Sequence, residues 1–237
     1  MRLPRLALPG LPQHVVIRGN NRQAIFNVDH DYRICLSHIR CAAEKYGCAV
    51  HAYILMPNHI HLLVTPQDKG GVGRMVQLLA RQYVQYFNQR YQRSGTLWEG
   101  RYKSALVDSE RYALDCYVYI ERNSLRANLQ QPAFTYVWSS YRHNAWGVED
   151  PLVTPCAAYL ALGSSRQQRQ QHYQSLWSKE LSPAMLQRIR QQTEQSRVLG
   201  DSEFLHRVET LLGVDLNCRR RGGDRRSKAY QLGAHSH

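Results

Sequence analysis

Apolar and polar residues alternate through His14-Val15-Val16-Ile17-Arg18, the period of two expected of a strand, and stop at the turn-forming cluster Gly19-Asn20-Asn21. From Asp29 to about Tyr46 the spacing changes. Ile34, Leu36, Ile39, Ala42 and Ala43 recur as on one helix face, and Gly47 closes that element. Ala49 to Leu55 reads as a second strand, Met56-Pro57-Asn58 as a turn and His59 to Thr65 as a third strand, so the two should pair as an antiparallel hairpin. Gly70-Gly71 leads into a helix from about Val72 to Arg90, with Met75, Leu78, Leu79, Val84 and Phe87 as its buried stripe. A turn-rich stretch, Ser94 to Gly100, precedes a short strand around Ser104 to Val107. A helix from about Ser109 to Leu125 follows, with Glu110 near its N-terminus, where the helix dipole favours an acid.

Strand, helix, strand, strand, helix, strand is the order of the ferredoxin-like plan, an α+β fold of the kind seen in RRM domains. The expected layering is one antiparallel sheet with helices on one face and the opposite face free for a ligand. Composition changes after Glu149-Asp150-Pro151. Thr154-Pro155 and Ser182-Pro183 each read as an N-cap followed by proline at the first helical position. Helices are expected at about 154–162, 165–179, 183–195 and 202–212. The division is therefore 1–148 for the main domain, 149–216 for a helical C-terminal extension and 217–237 for a basic, flexible tail.

The 237 residues carry a formal charge of +13, which favours a polyanionic partner, nucleic acid foremost. No apolar run reaches the roughly 20 residues that cross a bilayer, and the start lacks the apolar segment of a signal peptide, so no membrane partner is expected. Six cysteines are scattered without a Cys-x-x-Cys pair, which fits reduced thiols in a cytoplasm rather than a zinc ribbon or disulfide framework.

Candidate chemistry concentrates in Met56-Pro57-Asn58-His59-Ile60-His61-Leu62-Leu63-Val64. On a strand His59 and His61 face the same way while Ile60, Leu62 and Val64 face a core, so one divalent cation could bridge the two imidazoles. The helix around Asp115 to Asn123 offers further partners. Tyr119 and Asn123 lie one turn apart on one face, and an Asn oxygen beside two imidazoles suits Mn²⁺ or, less ideally, Mg²⁺. A tyrosine beside a cation-bound phosphate can attack phosphorus and form a covalent phosphotyrosine. Tyr117 is a rival nucleophile: it lies about 200° around the helix from Tyr119 and pairs with Glu121, itself a possible ligand. Trp98, Arg101, Tyr102 and Lys103 cluster before the last strand, and Arg18 with Asn20 follows the first. The first set combines charge with the stacking surface that single-strand binding requires, and the second adds a polar group.

Taken together, Arg18-Gly19-Asn20, Met56 to Leu63, Gly100-Arg101-Tyr102-Lys103-Ser104 and Tyr119-Ile120-Glu121-Arg122-Asn123-Ser124-Leu125-Arg126-Ala127 resemble the REP-associated tyrosine transposases. These are relatives of the IS200/IS605 transposases within the HUH single-strand endonucleases. The resemblance covers residues 10–145 most strongly and makes 1–148 the HUH catalytic domain. It implies that His59 and His61 hold a divalent metal, Mg²⁺ or Mn²⁺, with Asn123 as third ligand. The insertion-sequence relatives usually have glutamine at the position of Asn123. It further implies that Tyr119 is the nucleophile, that single-stranded hairpin DNA of the REP or BIME palindrome type is bound and cleaved, and that the protein acts as a monomer. Arg126, within the last motif, joins Arg18, Asn20, Trp98, Arg101 and Lys103 as an expected DNA contact. Arg219, Arg220 and Arg221 of the tail should grip phosphates without reading sequence. The rival readings are a hairpin DNA binder that has lost turnover and an RNA-binding regulator of ferredoxin-like fold.

Overall fold

The computed structural model describes residues 6–127 and 134–216. The alternating segment forms β1 (Gln13–Arg18), and the helical pattern after it forms α1 (Asp29–Lys45). The hairpin follows as β2 (Cys48–Met56) and β3 (His59–Pro66), with Met56 opposite His59 across the two-residue turn. Then come α2 (Gly71–Arg90) and β4 (Lys103–Val107), which completes the ferredoxin-like order. A two-residue strand, β5 (Val198–Leu199), extends the sheet to β2-β3-β1-β4-β5. Its pairing with β4 is parallel, whereas every other strand pair is antiparallel.

One face of the sheet carries Val15, Ile17, Tyr53, Leu55, Ile60, Leu62 and Val64, packed against α1 and α2. Ile60, Leu62 and Val64 are fully buried, each contributing about 2–3 kcal/mol of transfer free energy. Period-two alternation then forces His59, His61 and Leu63 to the other face. That face is not free, contrary to expectation. Ala52, Ile54, Met56 and Leu63 form a second core there with α3 (Ala113–Glu121), α5 (Tyr141–Trp146), α6 (Ala157–Leu160) and α7 (Arg166–Ser178). α3 lies directly on the strip of β2 and β3, and α6 and α7 of the C-terminal extension stack on α3 and α5 behind it. α8 (Pro183–Glu194) packs across β4 and β1, and α9 (Ser202–Leu212) closes a third, small core around Leu106, Val198, Phe204 and Val208.

Three boundaries differ from the sequence expectation. The helix expected from Ser109 begins at Ala113, because Asp108 caps Glu110 in a turn. It also breaks at Arg122 (φ −81°, ψ 2°) and resumes as the single turn α4 (Asn123–Arg126). Thr154-Pro155 does not start a helix; α6 is capped by Cys156. Ser182-Pro183 does start α8, with Ser182 Oγ accepting from Met185 N at 3.2 Å and Pro183 in the first turn. Among the described residues no helix is long and apolar enough to cross a membrane.

Candidate active site

On the second face, α3 and α8 stop short of one another over the middle of β1 and β3. They leave a cleft of about 320 Å³. β1 contributes His14, Val16 and Arg18 to its wall, the polar-facing positions of the alternating strand, and β3 contributes His59 and His61. Tyr119 of α3 and Asn123 of α4 line the opposite side, with Arg190, Thr193 and Glu194 of α8 beside them.

Each histidine uses one ring nitrogen within the protein. His59 Nδ1 lies 2.6 Å from Asn58 Oδ1, whose amide group in turn donates to Arg22 O. His61 Nδ1 lies 2.9 Å from His14 Nε2, and the two rings stack at 5.1 Å. That leaves Nε2 of His59 and of His61 without a partner among the described residues. The two rings sit 4.9 Å apart. Burial pushes His14 down to about 3 and His59 down to about 4, with the charges of Arg126 and Arg18 respectively adding to the effect. His61 is held well below the usual histidine value by burial first, then by His59 and His14. All three are neutral at pH 7, as nitrogen ligands must be.

Asn123 donates both amide hydrogens to backbone, to Tyr119 O at 3.0 Å and Ile120 O at 3.1 Å. The helix break at Arg122 supplies those carbonyls, and the same hydrogen bonds leave the Asn123 oxygen free to accept. Two imidazole nitrogens and one amide oxygen thus share the cleft, a donor set that fits Mn²⁺ or Mg²⁺ completed by water and phosphate oxygens. Among the described residues no three His, Cys, Asp or Glu side chains form a metal cage.

Tyr119 and Tyr117 are separated by the fold. The Tyr119 ring stands edge-on to His14 at 5.5 Å and to His61 at 6.0 Å. Its hydroxyl makes no hydrogen bond to the described residues. Tyr117 points the other way into the second core, stacked on Tyr159, with its hydroxyl accepting from Cys156 N at 3.3 Å. Glu121 is likewise far from the cleft chemistry. It accepts from Ser140, Asn144 and Tyr173, and burial raises it to about 7 against those hydrogen bonds.

The expected DNA contacts scatter. Arg18, Arg101 and Lys103 line the cleft mouth, Lys103 paired with Glu194 at 3.0 Å. Alternation in β1 puts Arg18 on the cleft face, and at Gly19 after it a Cβ would stand 2.5 Å from Gln23 O, so the chain can turn there only without a side chain. Asn20 sits in a short 3₁₀ turn with its N–H bonded to Leu97 O and does not line the cleft. Trp98 is buried. Its indole N–H donates to Ala80 O and its ring packs on Tyr83 in the first core, away from the cleft lining. The reason is local: Gly19 bridges Trp98 and Arg18 O accepts from Glu99 N, which turns the loop inward at Trp98 and outward at Glu99. Arg126 lies over the Tyr119 ring at 4.5 Å and donates to Tyr119 O, partly buried, and so braces the tyrosine. Arg219, Arg220 and Arg221 lie outside the described residues.

Sequence reasoning missed His14, Asn58, Thr193 and the α8 wall. Alternation in β1 puts His14 on the face of Arg18, and Asn58 precedes the first histidine, so both had a signal. Thr193 had none.

A family model described as "Transposase IS200 like" matches residues 8–123, a span that ends on Asn123. No curated protein matches the chain. Among solved structures, the chain is similar to a REP-associated tyrosine transposase bound to a REP hairpin, at 16% identity and a TM-score of 0.51, over 67% of this chain and 96% of that one. It is also similar to a putative transposase from Deinococcus radiodurans R1, at 23% identity and a TM-score of 0.36, over 55% and 94% of the two chains. The first of these likenesses shows the fold.

Proposed function

We propose that this chain, which over residues 8–123 is related to the IS200-like transposases, is a single-tyrosine DNA strand transferase acting on hairpin-bearing single strands. The observation that carries the reading is the convergence of Tyr119, Asn123, His59 and His61 on one cleft while Tyr117 and Glu121 are buried elsewhere.

His59, His61 and Asn123 would hold a divalent cation. When bound, it supplies polarisation of the scissile phosphate and offsets charge on the leaving oxygen. Arg18, Arg101 and Lys103 at the mouth hold flanking phosphates in register. The Tyr119 hydroxyl oxygen forms a bond to phosphorus as the bond to the 3′ oxygen breaks. The phenol proton leaves to solvent and the departing 3′ oxygen takes one up, giving a 5′-phosphotyrosine and a free 3′-hydroxyl. Because the phosphodiester energy is kept in the covalent bond, a 3′-hydroxyl can attack it and rejoin strands. The hairpin preference rests on the hairpin named for the REP-bound relative.

The test uses hairpin oligonucleotides labelled at either end, incubated with the full chain and Mn²⁺ or Mg²⁺ and resolved on denaturing gels. A shifted covalent species carrying the 3′ part of the strand, plus a shorter free 5′ part, is expected. Retention of uncut hairpin would favour a binder without turnover.

A further inference from the structure

We propose that Thr193 of α8, outside the matched family span, sets the tautomer of His61 through His14 and thereby decides whether His61 offers the cleft a lone pair or a proton. The proposal rests on the metal-site reading above. Three contacts form a line. Thr193 Oγ1 donates to Ile189 O at 2.8 Å, Thr193 Oγ1 and His14 Nδ1 are 2.8 Å apart, and His14 Nε2 and His61 Nδ1 are 2.9 Å apart. Thr193, His14 and His61 are all at least 95% buried, so water does not substitute for any member.

A neutral imidazole has one N–H and one lone pair, so the direction of the first hydrogen bond fixes all the others. With its single proton on the Ile189 carbonyl, the ordinary back-bond of a helical threonine, Thr193 can only accept from His14. His14 therefore carries its proton on Nδ1 and accepts at Nε2. His61 must then donate from Nδ1, which leaves the Nε2 lone pair for a cation. The reversed line, with Thr193 donating to His14, would end in an N–H on His61 Nε2, which repels a cation. His59 is set independently and locally, by the Asn58 oxygen. One ligand is thus oriented by its neighbour in sequence, the other by a helix of the C-terminal extension.

The experiment labels the metal-free full chain with ¹⁵N-histidine and reads which ring nitrogen carries the proton from two-bond ¹H–¹⁵N correlations. Mn²⁺ affinity is measured alongside by electron paramagnetic resonance. Wild type should show His61 protonated on Nδ1. In Thr193→Val a methyl replaces the hydroxyl at nearly the same volume. An orphaned lone pair costs less than an orphaned N–H, so His14 should move its proton to Nε2 and drive His61 to the Nε2–H form. Mn²⁺ should then bind about 10–100-fold more weakly, the usual effect of losing a residue that orients a ligand. His59 should be unchanged, and Thr193→Ser should restore the wild-type tautomer and affinity. His61 protonated on Nε2 in wild type, or an unchanged tautomer in Thr193→Val, overturns the proposal. The tautomer is read without metal. A wild type with His61 protonated on Nδ1 that takes up no Mn²⁺ would uphold the relay and count against the proposed function alone.

Discussion

Replacing Tyr119 by phenylalanine removes one oxygen from the cleft wall and leaves the packing of α3 intact. The Tyr119 ring is 4% exposed, held between His14, His61 and the Arg126 guanidinium, and phenylalanine keeps all three contacts. Its hydroxyl bonds to none of the described residues, so the loss in stability should be at most ~0.5 kcal/mol, a fall of ~1–2 °C in Tm for a chain of this size. Hairpin affinity should change by less than about twofold, ~0.4 kcal/mol, because the phosphate contacts of Arg18, Arg101 and Lys103 rather than this hydroxyl hold the strand. The covalent protein–DNA adduct should vanish, because no other oxygen nucleophile faces the cation site from α3. Tyr117→Phe is the paired control. It strips the acceptor from Cys156 N and should cost ~1 kcal/mol, or ~2–4 °C, while leaving the adduct intact. Adduct yield on denaturing gels, melting by circular dichroism and hairpin titration separate the three quantities. An adduct in Tyr119→Phe, or its loss in a folded Tyr117→Phe, would refute the assignment.

Three other outcomes follow from the geometry. Glu121 is raised to about 7 from an ordinary 4.5, so its contribution is complete below pH 4.5 and is lost as pH rises through 7, by about 3 kcal/mol; Glu121→Gln should flatten urea-unfolding stability between pH 5 and pH 8, and an unchanged slope would place the titration elsewhere. Trp98→Ala should act on the core, lowering stability by ~3–5 kcal/mol, whereas Trp98→Phe should lower melting with little change in hairpin affinity; a large affinity loss in a folded Trp98→Phe would return this residue to the DNA face. Arg101→Ala and Lys103→Ala should each reduce the slope of log affinity against log salt by about 0.7, one phosphate contact on a single strand; Lys103 is free to do so because its ion pair with Glu194 is exposed and worth only ~0–1 kcal/mol.

The elements that carry the metal-site candidates were legible because their patterns are local. Alternation fixes the face of His59 and His61 relative to Ile60 and Leu62, and no tertiary contact can change that parity without a bulge. Helical spacing likewise separates Tyr119 from Tyr117. What local pattern could not say is which face of the sheet would be covered. The free face expected beside β3 is instead covered by α3, which is held there by α5, α6 and α7, and the aromatic residues that pack behind it, such as Tyr159 and Tyr173 on Tyr117, lie far along the chain. Trp98 shows the same limit at smaller scale. A tryptophan beside arginines reads as a stacking platform until the pairing of its loop with Arg18-Gly19 turns the ring inward.

By itself, then, the sequence determined the ferredoxin-like order, the histidine pair, and a tyrosine and an asparagine one turn apart. Each depends on periodicities of two or 3.6 that the backbone imposes within a few residues. Only the tertiary structure decided that Tyr119 rather than Tyr117 meets the histidines, that Asn123 turns its oxygen outward at a helix break, and that His14 and Thr193 stand behind His61. Those outcomes depend on which surfaces pack together, and packing is settled by strands and helices distant in sequence burying their apolar faces at once.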